Sequence, residues 1–341
     1  MRLSNLDWAV IAAYGFIALA VGLYFARRAG SKTDEFFLGG RSMPWWLLGT
    51  SMVATTFSTD TPNLVTDFVR TGGVSQNWLW WTFAITGMCT VFFYAQMWRR
   101  SGVLTDVGFY ELRYSGRPAA FLRGFRALYL GVFFNVVIMA TVTLAAIKIG
   151  GVVLGASKYE VVLIACSVTA LYSATSGLWG VVVTDMLLFV IAIVGSFAAA
   201  YYAVAHPEVG GLSGLFANPA LEGKLSLLPD FSDMRMATTI FIIPIAVQWW
   251  STWYPGAEPG GGGYIAQRML AAKDESHALK ATLWFNIAHY ALRPWPWILV
   301  ALASLIVYPT LESIQLAFPL VDPSIVRHDL AYPAMLVFLP S

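Results

Sequence analysis

Thr55, Thr56, Ser58, Thr59, Asp60 and Thr61 place five hydroxyls and a carboxylate inside an otherwise apolar stretch, PWWLLGTSMVATTFSTDTPNLVTDFVRTGG, running from Pro44 to Gly73. Pro62 removes a backbone donor just beyond them. At membrane depth such a patch is tolerated only where protein or a water-filled cavity surrounds it, and interrupted helices of this kind mark binding sites in secondary transporters. Their freed carbonyls suit a hard cation, which takes oxygen ligands. The competing reading is a Thr-rich kink whose hydroxyls bond back to the preceding turn, but a kink alone has no need of Asp60.

A second polar stripe holds Asn286, His289 and Arg293 on one helix face. An arginine at membrane depth is costly enough to imply function, and the candidate carboxylate partners are Asp60 and Glu258. Alternatively, Pro294 and Pro296 open the helix there and the guanidinium caps freed carbonyls. Lys148, one turn from the end of its apolar stretch, is expected to snorkel. Glu258 to Gly263, EPGGGG, lacks the preceding strand and following Lys-Ser/Thr of a phosphate loop and reads as an unwound connection. Cys89 and Cys166 are isolated. With no nucleophile and base pair, metal cluster or cofactor motif, an enzyme is disfavoured.

The elements that must carry these groups are membrane helices. Hydrophobic residues make up 58% of the 341 residues and charged residues 12%, about half the charged share of a soluble domain, and mean hydropathy is +0.65. The net charge of +2 gives no support to nucleic-acid binding. Apolar spans fall at 6–26, 44–69, 77–97, 124–152, 158–176, 178–204, 236–256 and 280–308, with a ninth beginning near 331. Arg27, Arg28, Lys32, Arg41, Arg99, Arg100, Arg113, Arg117, Arg123, Arg126, Arg268, Lys273 and Lys280 flank one side, so the N-terminus is predicted outside and the first span is retained rather than cleaved. The long connections are 98–123 inside and 205–235 and 309–330 outside. The chain reads as one all-α polytopic membrane domain in a lipid bilayer, with breaks near 55–61 and within 248–263.

FFLGGRSMPWWLLGTSMVATTFS at 36–58, ELRYSGR at 111–117, YSATSGLWGVVVTD at 172–185 and YIAQRMLAAKDESHALKA at 264–281 resemble, in order along the chain, the sodium:solute symporter family. That resemblance implies a LeuT-like five-plus-five inverted repeat with two discontinuous helices, 44–69 and 236–256, behind an extra first helix. It implies sodium-coupled symport of a small organic solute across the cytoplasmic membrane. It also implies a fragment: family members continue further, and LAYPAMLVFLPS at 330–341 resembles the start of a helix that supplies further sodium oxygens, so these residues alone should bind sodium poorly. The matching sodium carbonyls are those of Ala54 and Phe57. Asp185 and Arg268 match a pair near the inner exit path, the alternative being two unrelated interfacial charges. Sugar-carrying relatives place a Gln, a Glu and a Lys where this chain has Thr61, Trp80 and His289, which argues for an organic acid or amino acid over a sugar. Thr56, Ser58, Asp60, Gln248, Trp249 and Trp253 are expected around the same cavity, with Arg293 as the carboxylate ligand. The alternative for the Trp residues is an interfacial belt; the alternative for the whole is the membrane sensor of a signalling kinase, or a transport-inactive fragment.

Overall fold

The computed structural model describes residues 4–58, 60–250 and 263–338. In chain order the helices are α1 (Asn5–Ala29), α2 (Trp45–Thr55), α3 (Asp60–Gly72), α4 (Val74–Ser101), α5 (Gly116–Val152), α6 (158–176), α7 (178–204), α8 (Met234–Ala246), α9 (Gly263–Ala271), α10 (Glu275–Val307), α11 (Leu311–Ala317) and α12 (Ala331–Leu336). Among the described residues there is no strand, only an isolated bridge between Met43 and Ala272. α1, α4, α5, α7 and α10 are each long and apolar enough to cross a membrane. α6 and α7 are continuous except at Gly177, whose φ of 56° and ψ of −174° redirect the chain. A Cβ there would lie 2.6 Å from the Cβ of Ala29, so the turn against α1 requires glycine.

The 44–69 stretch divides as expected. α2 stops at Thr55, and the amides of Thr56 and Phe57 turn back to the carbonyls of Val53 (2.9 Å) and Ala54 (2.8 Å). The chain becomes helical again at Asp60, whose carboxylate suits the positive end of α3 and accepts from Ser58 Oγ. Pro62 sits in the first turn of α3, where a missing amide costs no helical bond. α2 begins after Pro44 with no cap of its own; His277 Nδ1 accepts from Trp45 N at 3.0 Å and caps it from α10. Within the expected second span, 236–256, α8 ends at Ala246 and Gln248–Trp250 form a tight turn; the described chain resumes with α9 at Gly263. The rest of the break anticipated within 248–263 lies outside the described residues. The connection expected at 98–123 also shrinks, because α4 continues to Ser101 and α5 begins at Gly116.

Two apolar clusters meet at the first break. One joins Leu48 and Met52 of α2 to Met269 and Leu270 of α9 and Ala281 and Phe285 of α10. The other joins Val65 and Val69 of α3 to Ala200 and Ala203 of α7, Val300 and Leu302 of α10 and Met335 of α12. Phe57 packs against both.

Polar locks close the two ends. At the arginine-rich end, Arg99 Nε donates to the Ala272 carbonyl at 2.6 Å and Arg100 makes a two-pronged bond to Glu275 at 3.0 and 2.7 Å. At the other end, Arg70 is buried and donates to the carbonyls of Ser304 (2.7 Å) and Tyr308 (2.7 Å) and to His328 Nδ1 (3.4 Å). Lys148 corrects its expectation: it is buried and bonded to Asp329, so its ammonium is satisfied inside the protein rather than by reaching out to water.

Candidate functional site

The break between α2 and α3 forms one wall of a partly open cavity of about 180 Å³. Thr55, Thr56, Ser58, Asp60 and Thr61 line it from the break, Trp80, Thr86 and Gly87 from α4, Ile138 and Val142 from α5, Tyr264 from α9, and Phe285, His289, Tyr290 and Arg293 from α10. Gly87 is there for a steric reason, since a Cβ would lie 1.8 Å from Asn286 Oδ1. A second, larger cleft of about 660 Å³ shares Asp60, Thr61, Leu64, Ile138 and Val142 with the cavity and extends to Asp67, Lys148, Arg327 and Asp329. The cavity therefore communicates with the end opposite the arginine-rich one.

Arg293 belongs to the cavity and is 1% exposed. Its Nη1 donates to the Thr56 carbonyl (3.1 Å) and to Thr56 Oγ1 (2.7 Å), and its Nη2 lies 3.3 Å from His289 Nε2. A guanidinium only donates, so His289 Nε2 is an acceptor and the imidazole is neutral with its proton on Nδ1, which faces Thr56 Oγ1 at 3.3 Å. Thr56 Oγ1 donates to the Val53 carbonyl at 2.6 Å, so its one proton and both lone pairs are used. The faces of Phe57 and Trp297 lie 5.2 and 5.1 Å from the guanidinium carbon. Among the described residues Arg293 makes no ion pair, so the expected bridge to Asp60 is not formed; Glu258 lies outside them. The carbonyl that Arg293 caps belongs to α2's break, not to its own proline-opened helix.

Asp185 and Arg268 stand between the cavity and the arginine-rich end. Their closest approach is 3.4 Å, and hydroxyls of α2 fill the space: Ser51 Oγ donates to Asp185 Oδ2 at 2.5 Å and accepts from Arg268 Nε at 3.1 Å, while Thr55 Oγ1 accepts from Arg268 Nη2 at 3.1 Å. Ser51 and Thr55 share one face of α2 at a separation of four. That spacing was legible, but Ser51 carried no signal to separate it from a packing serine.

The remaining expected residues divide. Thr56, Ser58, Asp60, Thr61, Trp80 and His289 line the cavity; Trp80 turns its indole N–H to Asn77 Oδ1 at 2.9 Å and so offers ring rather than donor. Gln248 and Trp249 are not among the cavity residues: Gln248 Nε2 donates to the Leu79 carbonyl at 3.1 Å, and the Trp249 carbonyl accepts from Thr86. The reason is that α8 stops at Ala246 and Gln248–Trp250 form a separate tight turn bonded to Leu79 and Thr86 of α4. Trp253 lies outside the described residues. The Ala54 carbonyl already holds the Phe57 amide, whereas among the described residues no donor reaches the Phe57 carbonyl. An acceptor of that kind fits a cation, and the second lone pair of Ala54 fits it less directly.

Membrane-length helices around a broken helix and a central polar cavity define a multi-pass membrane protein. The profile of the sodium:solute symporter family matches residues 36–337, and the chain belongs to that family. It is 29% identical over 358 residues to the sodium/glucose cotransporter of Vibrio parahaemolyticus, covering 99% of this chain and 63% of that protein. It is 30% identical over 297 residues to sodium/glucose cotransporter 1 of Mus musculus, covering 80% and 42%. The chain thus spans less than two thirds of the length of these relatives. A sodium-coupled sialic acid symporter, solved in a substrate-bound outward-open state, superposes with a TM-score of 0.69 at 19% identity over 98% of this chain and 69% of that one. The likeness shows the LeuT-like fold. The family and these relatives are transporters, not enzymes.

Proposed function

We propose that the protein is a sodium-coupled symporter that imports a small organic solute bearing a carboxylate, an organic acid or amino acid in preference to a sugar. The observation that carries the solute class is Arg293: a buried guanidinium lining the cavity, with no ion pair among the described residues, is suited to a carboxylate through two parallel hydrogen bonds. Trp80 and His289 add an aromatic face and a neutral imidazole, neither of which replaces the charged groups that a sugar would lose. Sodium takes the Phe57 and Ala54 carbonyls at the break. Asp185 and Arg268, paired at 3.4 Å and bridged by Ser51 and Thr55, guard the ion's exit. With the arginine-rich end in the cytoplasm and the N-terminus outside, the larger cleft opens outward and the solute enters past Asp60. The similar proteins named for glucose and sialic acid transport support sodium coupling; sialic acid is itself a sugar acid.

The test is uptake into liposomes containing the intact protein, with an imposed sodium gradient. Labelled lactate, alanine or another carboxylate from a small panel should accumulate with the gradient and not with choline in place of sodium. Accumulation of glucose, with every carboxylate inert, would overturn the solute class; uptake indifferent to sodium would overturn the coupling.

A further inference from the structure

We propose that Arg293 is the resident cation of the α2–α3 break: its guanidinium occupies the Thr56 oxygens that a mobile ion would otherwise take, and a carboxylate entering the cavity draws it off them. The inference rests on the sodium and carboxylate readings above. It goes further in assigning one residue to couple them.

A carbonyl freed by an interrupted helix needs a donor, water or a cation. Here both oxygens of Thr56 receive the same Nη1, at 3.1 and 2.7 Å, and Thr56 Oγ1 has no capacity left. The two carbonyls assigned to sodium, Ala54 and Phe57, lie on either side of Thr56 in the chain. A full positive charge fixed on Thr56 opposes a second one on its neighbours, and the low dielectric of a buried site weakens that opposition far less than water would. The guanidinium also retains binding capacity. Its Nε is buried with no partner among the described residues, and the ring faces of Phe57 and Trp297 hold its charge without neutralising it. A carboxylate is a better acceptor for a guanidinium than a neutral carbonyl and hydroxyl, so its arrival neutralises the repelling charge and frees the Thr56 oxygens together. Solute and sodium then favour each other's binding, and by linkage the effect is reciprocal.

The experiment is calorimetric titration of sodium into the intact protein, with choline holding ionic strength constant. Arg293→Gln removes the charge and should bind sodium about tenfold more tightly than the unmodified protein, while Arg293→Lys, which keeps the charge, should stay near it. In the unmodified protein, choline acetate should tighten sodium binding by a similar factor relative to choline chloride, and it should do nothing in Arg293→Gln. The acetate comparison needs no substitution, so it stands even where a variant fails to fold. If Arg293→Gln binds sodium no more tightly, or more weakly, Arg293 merely braces the break and the proposal is overturned. If the variant tightens sodium but acetate has no effect, the resident-cation assignment stands and the carboxylate release falls with the solute class. Absence of sodium binding in both proteins overturns the sodium reading and this inference with it.

Discussion

Arg268 and Arg293 are both buried guanidinium groups on helices that border one cavity, yet they are satisfied in opposite ways. Arg268 has a carboxylate, Asp185, with the hydroxyls of Ser51 and Thr55 set between them. Arg293 has backbone, hydroxyl, imidazole and aromatic faces but no ion pair among the described residues. The first arrangement neutralises charge within the protein. The second leaves charge facing a cavity, which is what a binding site for an anion requires. The two arginines are thus distinguished less by burial than by what compensates them.

The largest test of this contrast is Asp185→Ala, which strands the Arg268 charge in the interior and should cost about 3–5 kcal/mol in detergent-solubilised thermal or denaturant unfolding. Adding Arg268→Met to it should restore most of that loss, because no buried charge remains. Arg293→Met should cost less, about 1–3 kcal/mol, since the acceptors it leaves without a donor, the Thr56 carbonyl and hydroxyl and His289 Nε2, are all neutral and no charge is stranded; a loss equal to that of Asp185→Ala would break the comparison. Lys148→Met, at the opposite end of the bundle, should cost about 1–2 kcal/mol, between the values for surface and fully buried pairs.

The smallest effect is one of pH. Burial and the neighbouring Arg70 guanidinium hold the His328 imidazole below its usual range, and Asp67, Lys224 and Asp329 also face it. A depressed histidine makes its contribution in full above the unfolded value of about 6.5 and loses it as pH falls through the folded value, because the unfolded chain takes up the proton first. Stability of the reconstituted protein should therefore decline on mild acidification, and His328→Gln should flatten that decline. An unchanged slope in the variant would assign the pH dependence elsewhere.

The break was legible in the sequence because hydroxyls, Asp60 and Pro62 at membrane depth have few explanations. Gly177 likewise separated two spans that differ little in composition. Partners were harder. Arg293 was expected to find a carboxylate, but its acceptor is the carbonyl of Thr56, and backbone leaves no trace in residue type. Lys148 was misjudged because its partner, Asp329, is 181 positions away. Gln248 and Trp249 were placed by resemblance to a broken helix over 236–256, and two physical features take them elsewhere: α8 ends at Ala246, and a wider π-type turn at Thr238–Ile242 rotates the face that follows.

Phe57 has a packing consequence. It is the apolar residue at the break shared by both clusters, and its ring meets Phe189 and Trp297 edge to face, at 71° and 85° with centroids 5.9 and 6.3 Å apart. One side chain thus belongs to the packing of both half-helices at once, and a truncated residue at this position would open a void shared between them.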